Sequence, residues 1–264
     1  MAKNTPKKEA AQRRAGRERA PEFPLQKNRL KDQVAVITGG SRGLGLAFAQ
    51  ALAAEGCAVV ITGRDEAALA DAAASVARHH GEVMTRHCDV RDPKSVATLF
   101  TAVKAEFGRL DLLVNNAGIA HSLKDVQEFS LETWKEVIDT NLTGLFMVTR
   151  AALPLMKSGA TIVNNLSVAA KTVFPGMSAY NASKHGALGF TDSLREELRK
   201  RGIRVISLIP GATDTDIWRQ FWPEAPRAKM MSTESIASAL VAAVLLPENA
   251  TVSELMITPT GGTL

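Results

Sequence analysis

The sequence predicts an α/β fold: a single doubly wound domain whose parallel seven-stranded sheet carries helices on both faces. Three observations lead there. Short apolar runs of strand length alternate with longer stretches of helical period along most of the chain. A glycine-rich turn joins the first such run to the first helix. The length, 264 residues with 45% apolar and 22% charged side chains, suits one domain with a substantial core. The chain stops at Leu264, a few residues past the last predicted strand, which leaves no length for a separate substrate domain.

Residues 1–30 stand outside that pattern and are expected to form a disordered basic tail, the domain proper running over 31–264. Of the chain's 32 Lys and Arg and 27 Asp and Glu, residues 1–31 hold ten and three, leaving 22 and 24 for the rest. The formal charge of +5 therefore arises in the tail, and the folded part is slightly acidic. Nucleic acid or an anionic membrane could be attracted by the tail alone, so neither is expected as a partner of the domain. Hardly any large apolar side chain is present there to offset the entropy of ordering it. A solubilising or vestigial tail, a misplaced start, polyanion binding and targeting all remain open for this segment. Two cysteines make no disulfide framework and suit a reducing, cytoplasmic setting. No apolar run reaches the length of a membrane span.

From Gln33 the elements follow in order. Val34-Ala-Val-Ile37 is a short apolar strand, followed by the turn Thr38-Gly-Gly-Ser-Arg-Gly-Leu-Gly45 and a helix over 43–55. Glycine at a strand-to-helix turn lets a pyrophosphate approach the backbone at a helix N-terminus, where anions are favoured. Strands are predicted at 57–62, 82–88, 110–114, 161–166, 203–209 and 254–258, and helices at 66–80, 93–107, 131–156 and 178–201. Over 131–156 apolar residues recur at 131, 134, 138, 142, 145, 148, 152 and 156, a helical period. Asn141 interrupts it in the middle, where an amide competes with the backbone ladder. By spacing alone it reads equally as a surface or capping residue.

The chemistry centres on Tyr180-Asn-Ala-Ser-Lys184, with Ser167 thirteen residues ahead of the tyrosine. Residues four apart on a helix are neighbours, which sets Lys184 beside the phenol. A free phenol titrates near ~10. A close ammonium favours the phenolate and a second close cation would favour it further; a lowering of about three units takes about 4 kcal/mol, which two such cations in a partly dry site can supply. Ser167 closes the fifth strand, at the carboxyl edge where open α/β sheets bind ligands. The five histidines, at 79, 80, 87, 121 and 185, show no zinc-ligand spacing, so no metal site is expected.

The spacing Thr38-Gly39-x-x-x-Gly43-x-Gly45, the run Asn115-Asn-Ala-Gly118 after the fourth strand, the Ser167, Tyr180 and Lys184 set, and Pro210-Gly211 with Thr215 together resemble the short-chain dehydrogenase/reductase family. The resemblance covers the chain from about residue 32 to its end. It implies a Rossmann-type sheet in the order 3-2-1-4-5-6-7 and a hydride exchanged between a nicotinamide cofactor and a carbonyl or secondary alcohol. The catalytic residues it implies are Asn141, Ser167, Tyr180 and Lys184. In the family the asparagine distorts its helix and positions a water for the proton relay, and the lysine also holds the nicotinamide ribose. Cofactor contacts are implied at Thr38, Gly39, Ser41, Arg42, Gly43, Leu44, Gly45, Arg64, Asp89, Val90, Asn116, Ala117, Gly118, Tyr180, Lys184, Pro210, Gly211, Thr213 and Thr215. Asp89 matches the position that bonds adenine, although capping the helix that starts at Asp92-Pro93 is an equal reading of its carboxylate. Assembly as a homodimer or homotetramer through the helices at 131–156 and 178–201 is also implied.

Two further expectations concern specificity. Gly63 stands where NAD-preferring relatives carry an aspartate, and Arg42 and Arg64 flank it, which suits the 2′-phosphate of NADP. Asp65 could instead pair with Arg64. Between 214 and 231, where the family places a mobile substrate lid, lie Trp218, Phe221, Trp222, Met230 and Met231. Trp218, Phe221 and Trp222, with Ser167 and Tyr180, are the expected substrate contacts, and the substrate is then apolar or bulky. Packing against the core or a partner subunit is the other reading of those side chains. The function expected is an NADPH-dependent carbonyl reductase, of the 3-oxoacyl-thioester type. A polyol, sugar or steroid alcohol dehydrogenase and a non-catalytic NADP-sensing or scaffold protein are the alternatives.

Overall fold

The structure is a computed structural model that describes residues 29–79 and 81–262. The expected disordered tail lies almost wholly outside the described residues, as does His80. Seven parallel strands form one sheet in the order β3-β2-β1-β4-β5-β6-β7. They are β1 (Val34–Thr38), β2 (Ala58–Gly63), β3 (Val83–His87), β4 (Leu112–Asn115), β5 (Thr161–Asn165), β6 (Arg204–Pro210) and β7 (Glu254–Ile257). The strand order, reached through the resemblance alone, is as expected. Strand ends agree with the sequence reading to within two residues; β1, β2, β4 and β6 run on through Thr38, Gly63, Asn115 and Pro210, because the ladder continues past the apolar run.

Alternation along each strand divides the core in two. Ala35, Ile37, Val59, Ile61, Leu112 and Val114 face α1 (Gly43–Ala54), α2 (Glu66–Ala77) and α8 (Thr233–Val244). Val34, Val36, Val60, Leu113 and Ile162 face α3 (Pro93–Phe107), α5 (Gly144–Ala152) and α6 (Ser178–Arg199). The edge strands β3 and β7 are only part-buried, as strands covered on one side should be. Helix α8, buried through Ile236, Ala237, Leu240 and Val241, has no counterpart in the sequence reading. Its many alanines weaken the apolar period there.

The helix expected over 131–156 is broken. It consists of α4 (Leu131–Ile138), a π-turn over Asp139–Thr143, α5, and a 3-10 turn over Leu153–Leu155 that contains Pro154. At the π-turn the amide of Gly144 bonds Asp139 O, five residues back. The extra residue rotates the apolar stripe. Leu145, Val148 and Ala152 are buried behind the turn, whereas Leu131 and Trp134 ahead of it are exposed. A single helical period cannot register such a phase change.

Candidate active site

A cavity of about 1090 Å³ opens where β1, β4, β5 and β6 end. Its one end is made from backbone. Gly39 and Gly43 have φ of 63° and 54°, which side chains rarely adopt. Gly45 is held for another reason: a Cβ there would strike Gly39 O and Asn116 Nδ2. Helix α1 thus starts close under the turn, with no side-chain cap at Arg42 and no acid in its first turn. Nothing competes with an anion for its free N–H groups, which fits a phosphate-bearing cofactor.

Most residues expected to touch that cofactor line this cavity: Gly39, Ser41, Arg42, Gly43, Leu44, Arg64, Asp89, Val90, Asn116, Ala117, Gly118, Pro210, Gly211, Thr213 and Thr215. Thr38 and Gly45 do not. Thr38 is a clasp: its Oγ1 accepts from the amides of Asn116 and Ala117 at 2.9 and 3.0 Å. Asn116 Nδ2 answers by donating to Thr38 O and Gly39 O. These bonds lock the turns after β1 and β4 together.

Two ambiguities of the sequence are resolved by hydrogen bonds. Asp92, not Asp89, caps α3, accepting from Lys94 N and Ser95 N. Asp89 is instead gripped by the Arg91 guanidinium, with Oδ2 2.7 Å from Nη2, and that contact holds its carboxyl below the usual range. Arg91 lines the cavity and was not expected to. Asp65 spends its carboxylate as the cap of α2, accepting from Ala68 N at 3.0 Å. Among the described residues neither Arg64 nor Arg42 has an ion-pair partner, so the pairing of Arg64 with Asp65 does not form.

At the other end, Ser167, Tyr180 and Lys184 line the cavity together. Ser167 follows β5, its Oγ accepting from Ala169 N. One helical turn separates Tyr180 from Lys184, whose Nζ lies 5.6 Å from the ring centroid and donates to Asn165 O at 3.1 Å. In the protein alone the phenol moves up, not down. Burial raises Tyr180 above its ordinary value, with the Ser167 hydroxyl pulling the other way. Burial also brings Lys184 from 10.5 down to about 8. Desolvation is the largest cause for both groups.

Asn141 does not line the cavity. It sits in the π-turn, so the helix is distorted where the resemblance implied. Both amide donors are taken, Nδ2 donating to Ile119 O and Ser183 Oγ, while Oδ1 accepts from Ile119 N and keeps one lone pair for a water.

The third wall is apolar. Trp218 and Phe221, on the short helix α7 (Trp218–Phe221), and Trp222 line the cavity, with Trp218 4.7 Å from Phe221 between ring centroids. Phe221 and Ile217 pack on the cluster of Ala120, Ala169, Met177 and Tyr180. Met230 and Met231 are outside it; Met231 pairs as an isolated bridge with Thr213 and packs on the core. Gln220 fastens this segment, its Oε1 accepting from Ala120 N at 2.9 Å. Gln220, Ser183, His121 and Asn165 have structural parts here that no motif signalled, because each has a partner far away in sequence: Ala120, Asn141, Tyr180 and Lys184 respectively.

Comparisons agree with this geometry. A short chain dehydrogenase profile matches residues 33–226. The chain is 41% identical over 192 residues to a 3-oxoacyl-[acyl-carrier-protein] reductase of Synechocystis sp., covering 71% of this chain and 77% of that one. It is 37% identical over 190 residues to a 3beta-hydroxysteroid dehydrogenase of Mediterraneibacter gnavus, covering 72% and 69%. Among solved structures, an alcohol dehydrogenase from Thermococcus sibiricus complexed with 5-hydroxy-NADP superposes with a TM-score of 0.82 at 31% identity, over 88% of this chain and 98% of that one.

Proposed function

Since this chain belongs to the short-chain dehydrogenase/reductase family of oxidoreductases, we propose that it is an NADPH-dependent reductase interconverting a bulky, apolar ketone and its secondary alcohol. The observation that carries this reading is one cavity with Ser167, Tyr180 and Lys184 at one end and an anion-receptive glycine turn, flanked by Arg42 and Arg64, at the other. NADP bound there would supply or accept the hydride. Arg42 and Arg64 would hold its 2′-phosphate and Lys184 its nicotinamide ribose. Asp89, steadied by Arg91, offers the adenine an acceptor.

Ser167 and Tyr180 hydroxyls hold the carbonyl oxygen, and Tyr180 gives its proton to the developing alkoxide. Lys184 Nζ, 5.6 Å from the ring centroid, would together with the positive charge of a bound oxidised nicotinamide oppose the burial that disfavours the phenolate. Asn141 shapes the π-turn behind the site and, through water, would return the proton.

A 3-oxoacyl thioester is the first substrate class to try, and the cyanobacterial relative's name supports it. The aromatic wall of Trp218, Phe221 and Trp222 favours a steroid alcohol as the second. NADPH consumption with a panel of 3-oxoacyl thioesters, ketosteroids and small polyol-derived ketones tests both. Turnover of the polyol-derived ketones alone, or of none, would refute the reading.

The same reading has the enzyme assemble as a homodimer or homotetramer. Support comes from exposed Leu131, Trp134 and Phe146 on α4 and α5. Sedimentation at micromolar concentration would show a monomer if it is wrong. Two free, buried cysteines suit a reducing cytoplasm, and no described helix is long and apolar enough to cross a membrane.

A further inference from the structure

The first turn of any helix leaves N–H donors without partners inside the helix. Helix α6 starts at Ser178, and Met177 ahead of it has no side chain that can cap. The orphaned donor that matters most belongs to Tyr180 itself. His121, 59 residues earlier, takes it: Tyr180 N donates to His121 Nε2 at 3.3 Å.

The tautomer follows from the second contact of the ring. Nδ1 lies 2.8 Å from the Ser122 carbonyl oxygen. A carbonyl can only accept, so Nδ1 carries the proton and Nε2 presents its lone pair to Tyr180. The ring is 5% exposed and stands edge-on to Phe129 at 4.4 Å, so it has little freedom to turn. Burial holds its pKa below the ordinary value, which keeps the acceptor form.

Neighbouring residues extend the hold. Ile119 exchanges two hydrogen bonds with Asn141 in the π-turn, and Ala120 N donates to Gln220 Oε1 on α7. On the far side of the tyrosine, Ser183 Oγ donates to Tyr180 O and accepts from Asn141 Nδ2. The N–H and the C=O of Tyr180 are therefore both gripped by side chains, a restraint beyond the helical ladder.

We propose that His121 is a positioning residue of the reaction: it caps the first turn of α6 and, opposite Ser183, fixes where the Tyr180 phenol stands. The proposal rests on Tyr180 being the proton donor. His121 does not line the cavity, so its loss should act on kcat and leave NADPH affinity in place. Misplacing a reacting group by about 1 Å can cost on the order of 10²-fold.

The test compares His121→Phe, which keeps a ring beside Phe129 without an acceptor, with His121→Gln, whose amide oxygen reaches the place of Nε2. In the Phe variant kcat should fall about 10- to 100-fold with unchanged NADPH affinity, and the Gln variant should recover most of it. Tyr180 is the chain's only tyrosine, so tyrosinate difference absorbance titrates this group alone. Its midpoint should move in the Phe variant and return in the Gln variant. A Phe variant with parental kcat, or a Gln variant as slow as Phe, overturns the proposal. Where the Phe chain does not fold, His121→Asn, with its acceptor set back by one bond, takes its place, and equal kcat for Asn and Gln overturns it. Activity in Tyr180→Phe would be a different failure, that of the proton donor itself.

Discussion

The two ends of the cavity are built from different materials. At the turn after β1, Gly39 and Gly43 supply main-chain surface, Gly45 lets the helix pack close under it, and the Thr38–Asn116 clasp braces it. Around Tyr180 the walls are side chains from three separate segments, namely Ala169 after β5, Phe174 and Met177 ahead of α6, and Trp218 and Phe221 of α7. A backbone surface has one shape and admits one kind of ligand. A side-chain wall can be recut residue by residue without disturbing the sheet. Cofactor choice should hence hinge on very few positions, and substrate choice on many, each with a small effect.

Tyr180→Phe sharpens this contrast most. It removes one proton donor and no wall, so kcat should fall about 10²–10⁴-fold while NADPH binding, followed by nicotinamide fluorescence, stays close to the parent's. A variant of parental activity would show that the side-chain end does no acid–base work.

The backbone end is tested by cofactor preference. Each charge-assisted bond to a 2′-phosphate contributes roughly 1.5–3 kcal/mol. With Arg42 and Arg64 both engaged, NADPH should exceed NADH by about 10²–10⁴-fold in kcat/KM after allowance for exposure. Gly63→Asp with Arg64→Leu should invert that preference. A Cβ at Gly63 meets Ser41 Oγ at 3.4 Å and Leu69 beyond, ordinary contacts, so the aspartate fits without moving the turn. Like charge against the phosphate and a new acceptor for a free 2′-hydroxyl act together. A parent that uses both cofactors equally would break the comparison.

The same division explains what could be read in advance. Glycine reports its own backbone demands through residue type alone, so the turn, the strands and Ser167, Tyr180 and Lys184 were legible as local patterns. The π-turn was only half legible. Asn141 hinted at it, but the apolar period ran straight through. His121 to Tyr180 spans 59 residues and Gln220 to Ala120 spans 100; such pairs leave no periodic trace in one sequence. The electrostatic reading was incomplete for a related reason. Neighbourhood on a helix predicted that Lys184 would favour the phenolate, but the burial that raises Tyr180 and lowers Lys184 depends on the whole fold.

Gln220→Leu gives a smaller effect. Losing one hydrogen bond from the α7 segment to Ala120 N removes about 0.5–1.5 kcal/mol, so KM for the carbonyl substrate should rise up to about tenfold. KM for NADPH should not move, because the backbone end is untouched. A rise in both would mean that α7 also covers the cofactor end.

Lys184 belongs to both ends, and its smallest signature is a stability slope. The unfolded chain keeps this lysine protonated up to its ordinary 10.5, whereas the folded chain releases the proton from about pH 8. Between those values the unfolded state binds more protons, so folding becomes more favourable as pH rises. The penalty of burying the ammonium is complete below about 8 and gone above 10.5. From pH 8 to 9 the gain is about 1 kcal/mol, or ~2–4 °C in Tm for a domain of this size. Lys184→Met carries no such proton, and subtracting its Tm from the parent's cancels every other titrating group. The difference should climb in the parent's favour over that interval. The window stops short of the tyrosine, whose raised pKa gives the opposite slope once the unfolded phenol ionises near ~10. Parallel Tm curves for the two proteins would mean that the ammonium keeps its water, and then it could not act on Tyr180 through a dry site.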